Sequence, residues 1–223
     1  MERLYIFGAG EFAHIAHSYF LKEGHYLFQG FVVDSVFAND SVTTKSGFPV
    51  FSLPDVLPLL LQDQTRVFVA ISASQMNKKR AEVFNRLKEL GCKFASYISP
   101  IGFFSDEATI GENVFIFEAN VVQNGVHIAD NTILWSGNHI GHQSRIASHV
   151  FLSSHVVISG FCEIDSFCYF GVNSTVADHV KIARGTLVGA GSLVLKDTES
   201  DSVFVGSPAK KVEGKNPYSV IFQ

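Results

Sequence analysis

From Ile98 to Val194 every sixth residue is apolar, seventeen positions without an exception, beginning Ile98, Phe104, Ile110, Ile116 and ending Ile182, Val188, Val194. A period of six is neither the 3.6 of a helix nor the 2 of an open strand. It is the hexapeptide repeat of a parallel β-helix, in which six residues make one short flat strand and a corner. Three hexapeptides close a triangular coil, so the stretch predicts about five coils from residue 98 to about 198. Small residues follow the ladder (Gly111, Ala129, Gly141, Ala147, Gly171, Ala177, Gly189) and are expected to let the corners bend. Residues 199–223 carry Gly206-Ser207-Pro208-Ala209-Lys210 and are expected to cap the open end, as terminal repeats must.

Before residue 98 the pattern is different. Strands are expected at Leu4–Phe7, Leu27–Val33, Val67–Ser72 and Lys93–Ile98, with an edge strand at Gly47–Val50, where Pro49 is tolerated. Helices are expected at Glu11–Glu23, Leu53–Gln62 and about Gln75–Leu90. Alternation of this kind gives a small parallel sheet with helices on both faces. The fold class is therefore α/β plus β: a Rossmann-like domain over 1–97, a β-helix over 98–198 and a cap over 199–223.

Composition removes several classes of function. Seventeen basic against 21 acidic residues leave a formal charge of −4, which does not suit a nucleic-acid partner. No apolar stretch reaches the roughly 18 residues of a membrane span, and MERLYIFGAG reads as a strand, not a signal peptide. Cys92, Cys162 and Cys168 have no disulfide or metal spacing; the last two recur at one place in successive hexapeptides and read as corner fillers. A soluble cytoplasmic protein is expected.

The uninterrupted ladder, with Gly189-Ala190-Gly191 and Val205-Gly-Ser-Pro-Ala-Lys210, resembles the left-handed β-helix acyltransferases. With the N-terminal half added, the whole chain resembles the bacterial sugar acetyltransferases that act on nucleotide-linked amino sugars or on sialic acid. The resemblance implies a homotrimer using acetyl-CoA, with active sites between neighbouring prisms. It implies N-acetylation of a nucleotide-linked amino sugar for surface glycans, with sugar O-acetylation and a non-catalytic trimeric scaffold as alternatives.

Acetyl transfer from a thioester needs a base, an oxyanion donor and a groove for CoA. Histidine suits the base because its unperturbed pKa lies near neutrality. In Gly137-Asn138-His139-Ile140-Gly141-His142-Gln143, His142 holds the position of the family's catalytic histidine, and His139 is a neighbour that would orient it. Gly160 lies 18 residues later, one coil on, and its N–H is the expected oxyanion donor. His155, Gly160, Val172, Lys181, Ala190 and Lys210 are expected to line the path of CoA. Two departures matter: relatives commonly place an acid directly before or after the base, where this chain has Gly141 and Gln143, and can carry a second histidine where it has Phe151. Zinc-bearing β-helices would imply two histidines five residues apart; none are, and no metal is expected.

Gly8-Ala9-Gly10-Glu11-Phe12-Ala13 follows a strand and opens a helix, with Asp34 ending the second strand, which is the context of a dinucleotide fingerprint. The resemblance implies that this turn binds the sugar nucleotide instead, through Gly8, Gly10, Phe12, Asp34 and Ser72.

Overall fold

The computed structural model describes residues 1–38 and 47–219. The chain divides into two compact units, Met1–Ser72 with Arg80–Ser96, and Ala73–Lys79 with Tyr97–Gln223.

The first unit is a four-stranded parallel sheet of order β3-β2-β1-β4, from β1 (Glu2–Phe7), β2 (Tyr26–Val33), β3 (Val50–Ser52) and β4 (Thr65–Val69). Helix α1 (Glu11–Glu23) presents Phe12, Ala13, Ala16 and Phe20 to one face, with Phe12 and Phe20 edge-on to Phe68. Helices α2 (Leu53–Leu60) and α3 (Lys78–Glu89) pack on the other through Leu53, Val56, Leu60, Val83, Phe84 and Leu87. Burial on both faces explains the continuous apolar runs of β1 and β4.

Two expectations are corrected. Lys93–Ile98 is not a fifth strand of this sheet: only Phe94 bridges to Val67, while Tyr97–Ile98 pairs in the β-helix. The last charged helix starts at Lys78 and not Gln75, because Gln75, Met76 and Asn77 all take left-handed backbone (φ 52°, 53° and 65°). That turn packs inside the second unit. Met76 is fully buried with Leu187 and Val203, and Asn77 Nδ2 donates to the Cys168 carbonyl at 3.3 Å.

The second unit is a left-handed parallel β-helix of two-residue strands in three sheets. Its first face contains Tyr97–Ile98, Phe115–Ile116 and their successors to Leu187–Val188; its second runs from Phe103–Phe104 to Leu193–Val194; its third runs from Thr109–Ile110 to Lys181–Ile182. The second residue of each strand points inward. From Ile116 to Val194 every ladder residue is buried in one core, whereas Ile98 at the start is 40% exposed. Each coil donates strand N–H groups to carbonyls of the next: Val121 to Asn138, His139 to Val156 and Val157 to Ser174, all at 2.9 Å.

The residues directly after the ladder are small because of stacking, not bending. A Cβ on Gly141 would lie 2.5 Å from the Ser159 carbonyl carbon, and one on Gly171 2.4 Å from the Ala190 nitrogen. Bending falls two residues later, where Asn113, Asn131, Gln143, His155, Phe161 and Asn173 adopt φ of 55–59°. Asparagine tolerates that region best among residues with side chains. Asn113 and Asn131 offset its cost by bonding along the corner, Nδ2 of Asn113 to Oδ1 of Asn131 at 2.8 Å. At the C-terminal end Val203–Gly206 continues the first face and turns back through antiparallel Ala209–Lys211. The last four residues of the expected cap lie outside the described residues.

Candidate functional site

His142 stands at the corner between the second and third faces, two residues after the inward Ile140, and is exposed. Its backbone N–H donates to Gln123 Oε1 at 2.9 Å, and its Nδ1 lies 3.3 Å from the same oxygen. Beneath the ring is Gly160. A Cβ there would lie 2.7 Å from His142 Cε1 and 3.0 Å from Nε2, so glycine is required by the imidazole that rests on it. Phe161 meets the ring edge-on with centroids 5.0 Å apart, and His179 stacks on the far side of Phe161 at 4.9 Å. Gln143, the next residue along the chain, turns away and lies over Gly125.

The expected oxyanion role of Gly160 meets an obstacle. Its N–H donates to Asp178 Oδ1 at 2.9 Å. A developing oxyanion could take that N–H only if the carboxylate, which would repel it, swung away. The one-coil spacing correctly places Gly160 against His142, but the contact it makes is steric.

His139 projects outward from the second face between Val121 and Val157, and so lies on a strand instead of the corner. His155 is on the corner between the first and second faces, exposed, its ring lying over Gly137. Val172 and Ala190 are exposed on that same corner. Within one chain, therefore, His142 and the His155–Val172–Ala190 set occupy the two corners that flank the second face. Lys181 is on the third face, 3.1 Å from Glu163, along a groove of about 550 Å³ that also includes His127 and Arg145. Lys210 is exposed in the strand Ala209–Lys211.

In the first unit Gly8 (φ 117°) is demanded by the chain itself, since a Cβ would lie 2.8 Å from the Ala70 carbonyl oxygen. Gly10 is different: it caps α1 in extended backbone, and a Cβ there would meet no atom within 4 Å. Asp34 holds Arg86 at 2.7 Å, and Ser72 is exposed after β4. Phe12 is a correction. It is buried against Phe68, because α1 turns that position to the sheet, and it presents no side chain to a ligand at the turn.

Burial pushes the Cys162 thiol up and the Cys168 thiol up to about 12, so both stay protonated and inert. Among the described residues no group of histidine, cysteine and carboxylate side chains could hold a metal ion, and no helix is long and apolar enough to cross a membrane.

No family model matches the chain. Solved structures do. A variant of perosamine N-acetyltransferase from Caulobacter crescentus, solved with CoA and GDP-perosamine, superposes with a TM-score of 0.83 at 24% identity, covering 95% of this chain and 97% of that one. The acetyltransferase domain of PglB from Neisseria gonorrhoeae gives 0.81 at 23%, covering 95% and 100%. WeeI from Acinetobacter baumannii gives 0.77 at 19%, with the same coverage. The chain has their fold. The match takes in both units and their order along the sequence, which the hexapeptide ladder by itself does not specify.

The sequence nominates His142 through the family resemblance and Gly160 through the 18-residue coil. It gives no sign of Gln123, Asp178 or Phe161. Asp178 lies one coil beyond Gly160, and Phe161 is the next residue along the chain, so counting reaches both positions. What counting cannot supply is the direction in which their side chains leave the corner. Gln123, 19 residues before His142, carries no motif.

Proposed function

We propose that this chain is an acetyl-CoA-dependent N-acetyltransferase acting on the amino group of a nucleotide-linked amino sugar, in surface glycan biosynthesis in the cytoplasm. The observation that carries the reading is His142: an exposed imidazole held over a glycine, in a fold shared along 95% of the chain with an enzyme solved with CoA and GDP-perosamine. His142 accepts the proton of the amine as its nitrogen attacks the thioester carbonyl. The C–N bond forms, the C–S bond breaks, and the proton passes on to the departing sulfur.

The active assembly is a homotrimer. Exposed Phe103 (56%) on the second face, with Phe161 (47%) and Leu195 (50%) on its flanking corner, is surface that a neighbouring copy would cover. A threefold arrangement about these faces brings the His142 corner of one copy to the His155–Val172–Ala190 corner of the next, where small and apolar side chains leave backbone accessible to a pantetheine arm. The Gly8–Gly10 turn takes the nucleotide. Support comes from Gly10, whose lack of a side chain no packing demands, and from its position at the start of α1, where amide N–H groups favour phosphate.

Thiol release from acetyl-CoA, measured with nucleotide-linked amino sugars and with hydroxyl sugars, tests the reading. Turnover only with amino sugars supports it; turnover only with hydroxyl sugars makes the chain an O-acetyltransferase; turnover with neither leaves a binding scaffold. His142→Asn is expected to lower kcat by about 10²–10⁴ with melting temperature and oligomeric state unchanged.

A further inference from the structure

The two contacts at Gln123 Oε1 determine more than the place of His142. A backbone N–H can only donate, so the Gln123 atom 2.9 Å from the His142 amide is the carbonyl oxygen of its side chain and not the NH₂. That oxygen has lone pairs only. The Nδ1 facing it at 3.3 Å must then carry the proton. A neutral imidazole has one N–H, which leaves Nε2 with a bare lone pair.

From this geometry we infer that Gln123 is the positioning residue of His142, fixing the Nδ1–H tautomer so that Nε2 serves as the base. The inference rests on the acetyl-transfer reading for its purpose, but the tautomer itself does not. Three further features support it. Gln143, adjacent in sequence, is taken up over Gly125 and cannot orient the ring. Phe161 stands edge-on to the imidazole and limits its tilt. Gln123 is half-buried at the end of its strand, with its backbone N–H committed to Ile140 O at 3.0 Å, so the side chain leaves from a fixed point.

An amide orients as a carboxylate does, through an acceptor oxygen on Nδ1–H, but it brings no charge. The imidazolium that forms when Nε2 takes the proton is therefore stabilised less at this contact than a carboxylate would stabilise it.

The test combines spectroscopy and kinetics on the intact chain. Long-range ¹H–¹⁵N correlation on histidine-labelled protein, with the His142 signals assigned by their loss in His142→Asn, is expected to show Nδ1 protonated and Nε2 bare above neutral pH. Gln123→Met, which keeps length and removes the acceptor, should abolish that preference and lower kcat about tenfold or more with KM for acetyl-CoA little changed. Gln123→Glu should retain the tautomer and move the acid limb of the pH–rate profile up by about one unit, since a carboxylate favours the charged ring. Wild-type protein with the proton on Nε2, or Gln123→Met with the tautomer unchanged, overturns the inference even if acetyl transfer is found. The expected tautomers in a protein that transfers no acetyl group would instead uphold the positioning and overturn the proposed reaction. A Gln123→Met chain that fails to fold is replaced by Gln123→Glu, whose unshifted pH profile would equally refute the assignment.

Discussion

Gly160 has ordinary backbone angles, and nothing in its own conformation asks for glycine; the demand comes from the imidazole 2.7 Å from its missing Cβ. Gly160→Ala is thus expected to leave the coil intact and push His142 aside, because a side chain yields more readily than a stacked strand. Displacement of a reacting group by about 1 Å costs on the order of 100-fold in rate. A steady-state kcat reduced by about that factor, with an unchanged melting curve, is the expected result; full activity would show that the ring's place over Gly160 is immaterial. At this scale the sequence is informative where a residue recurs with the coil and silent where a partner arrives from the neighbouring coil. His142 and Gly160 can be paired by counting to eighteen. Gln123, Asp178 and the Phe161–His179 stack depend on which way side chains leave a corner, and no periodicity encodes that.

Among the elements, the ladder strands are legible because a single rule governs each of them: the second residue points inward and must be apolar. The irregular pieces are not. Residues 75–77 look like the start of a charged helix, and the burial of Met76 against Leu187 and Val203, with the Asn77 bond to the Cys168 carbonyl, explains why the chain accepts three left-handed residues in a row. Helix α1 shows another feature that the pattern conceals. His17 lies on its buried face, 7% exposed, enclosed by Phe28, Phe31 and Phe48 at ring distances of 4.2, 5.9 and 4.7 Å. Its Nε2 has no hydrogen-bond partner. Burial, and to a smaller extent His14, lowers its pKa below the usual histidine value, so it is held neutral. The unfolded chain binds this proton more readily than the folded one. The resulting stability is complete above about pH 6.5 and is lost as the pH falls through the lower folded-state value. His17→Phe fits the aromatic cage without a buried orphan nitrogen, and should narrow the difference in melting temperature between pH 7.5 and pH 5. An undiminished difference would place the acid sensitivity elsewhere.

For the molecule as a whole, the shared fold of both units is foreseeable from the ladder and the Gly8–Gly10 turn, while for the proposed assembly the sequence offers the family resemblance and no pattern of its own. The parallel stacking of the coils has a further consequence. Because every coil bonds to the next through the same parallel ladder, with N–H groups and carbonyls on both edges of each strand, the last coil offers at one end what the first coil accepts at the other. The two ends are complementary, and contact between complementary, non-identical surfaces does not close on itself. What stands between this chain and a filament is the hairpin of Val203–Gly206 and Ala209–Lys211, whose reversed strand ends the parallel series. A chain cut after Ser202 should grow head to tail, seen as light scattering that rises with concentration and as fibres in the electron microscope, whereas the intact protein keeps a fixed mass. The hairpin thus does for the molecule what a terminator does for a polymer.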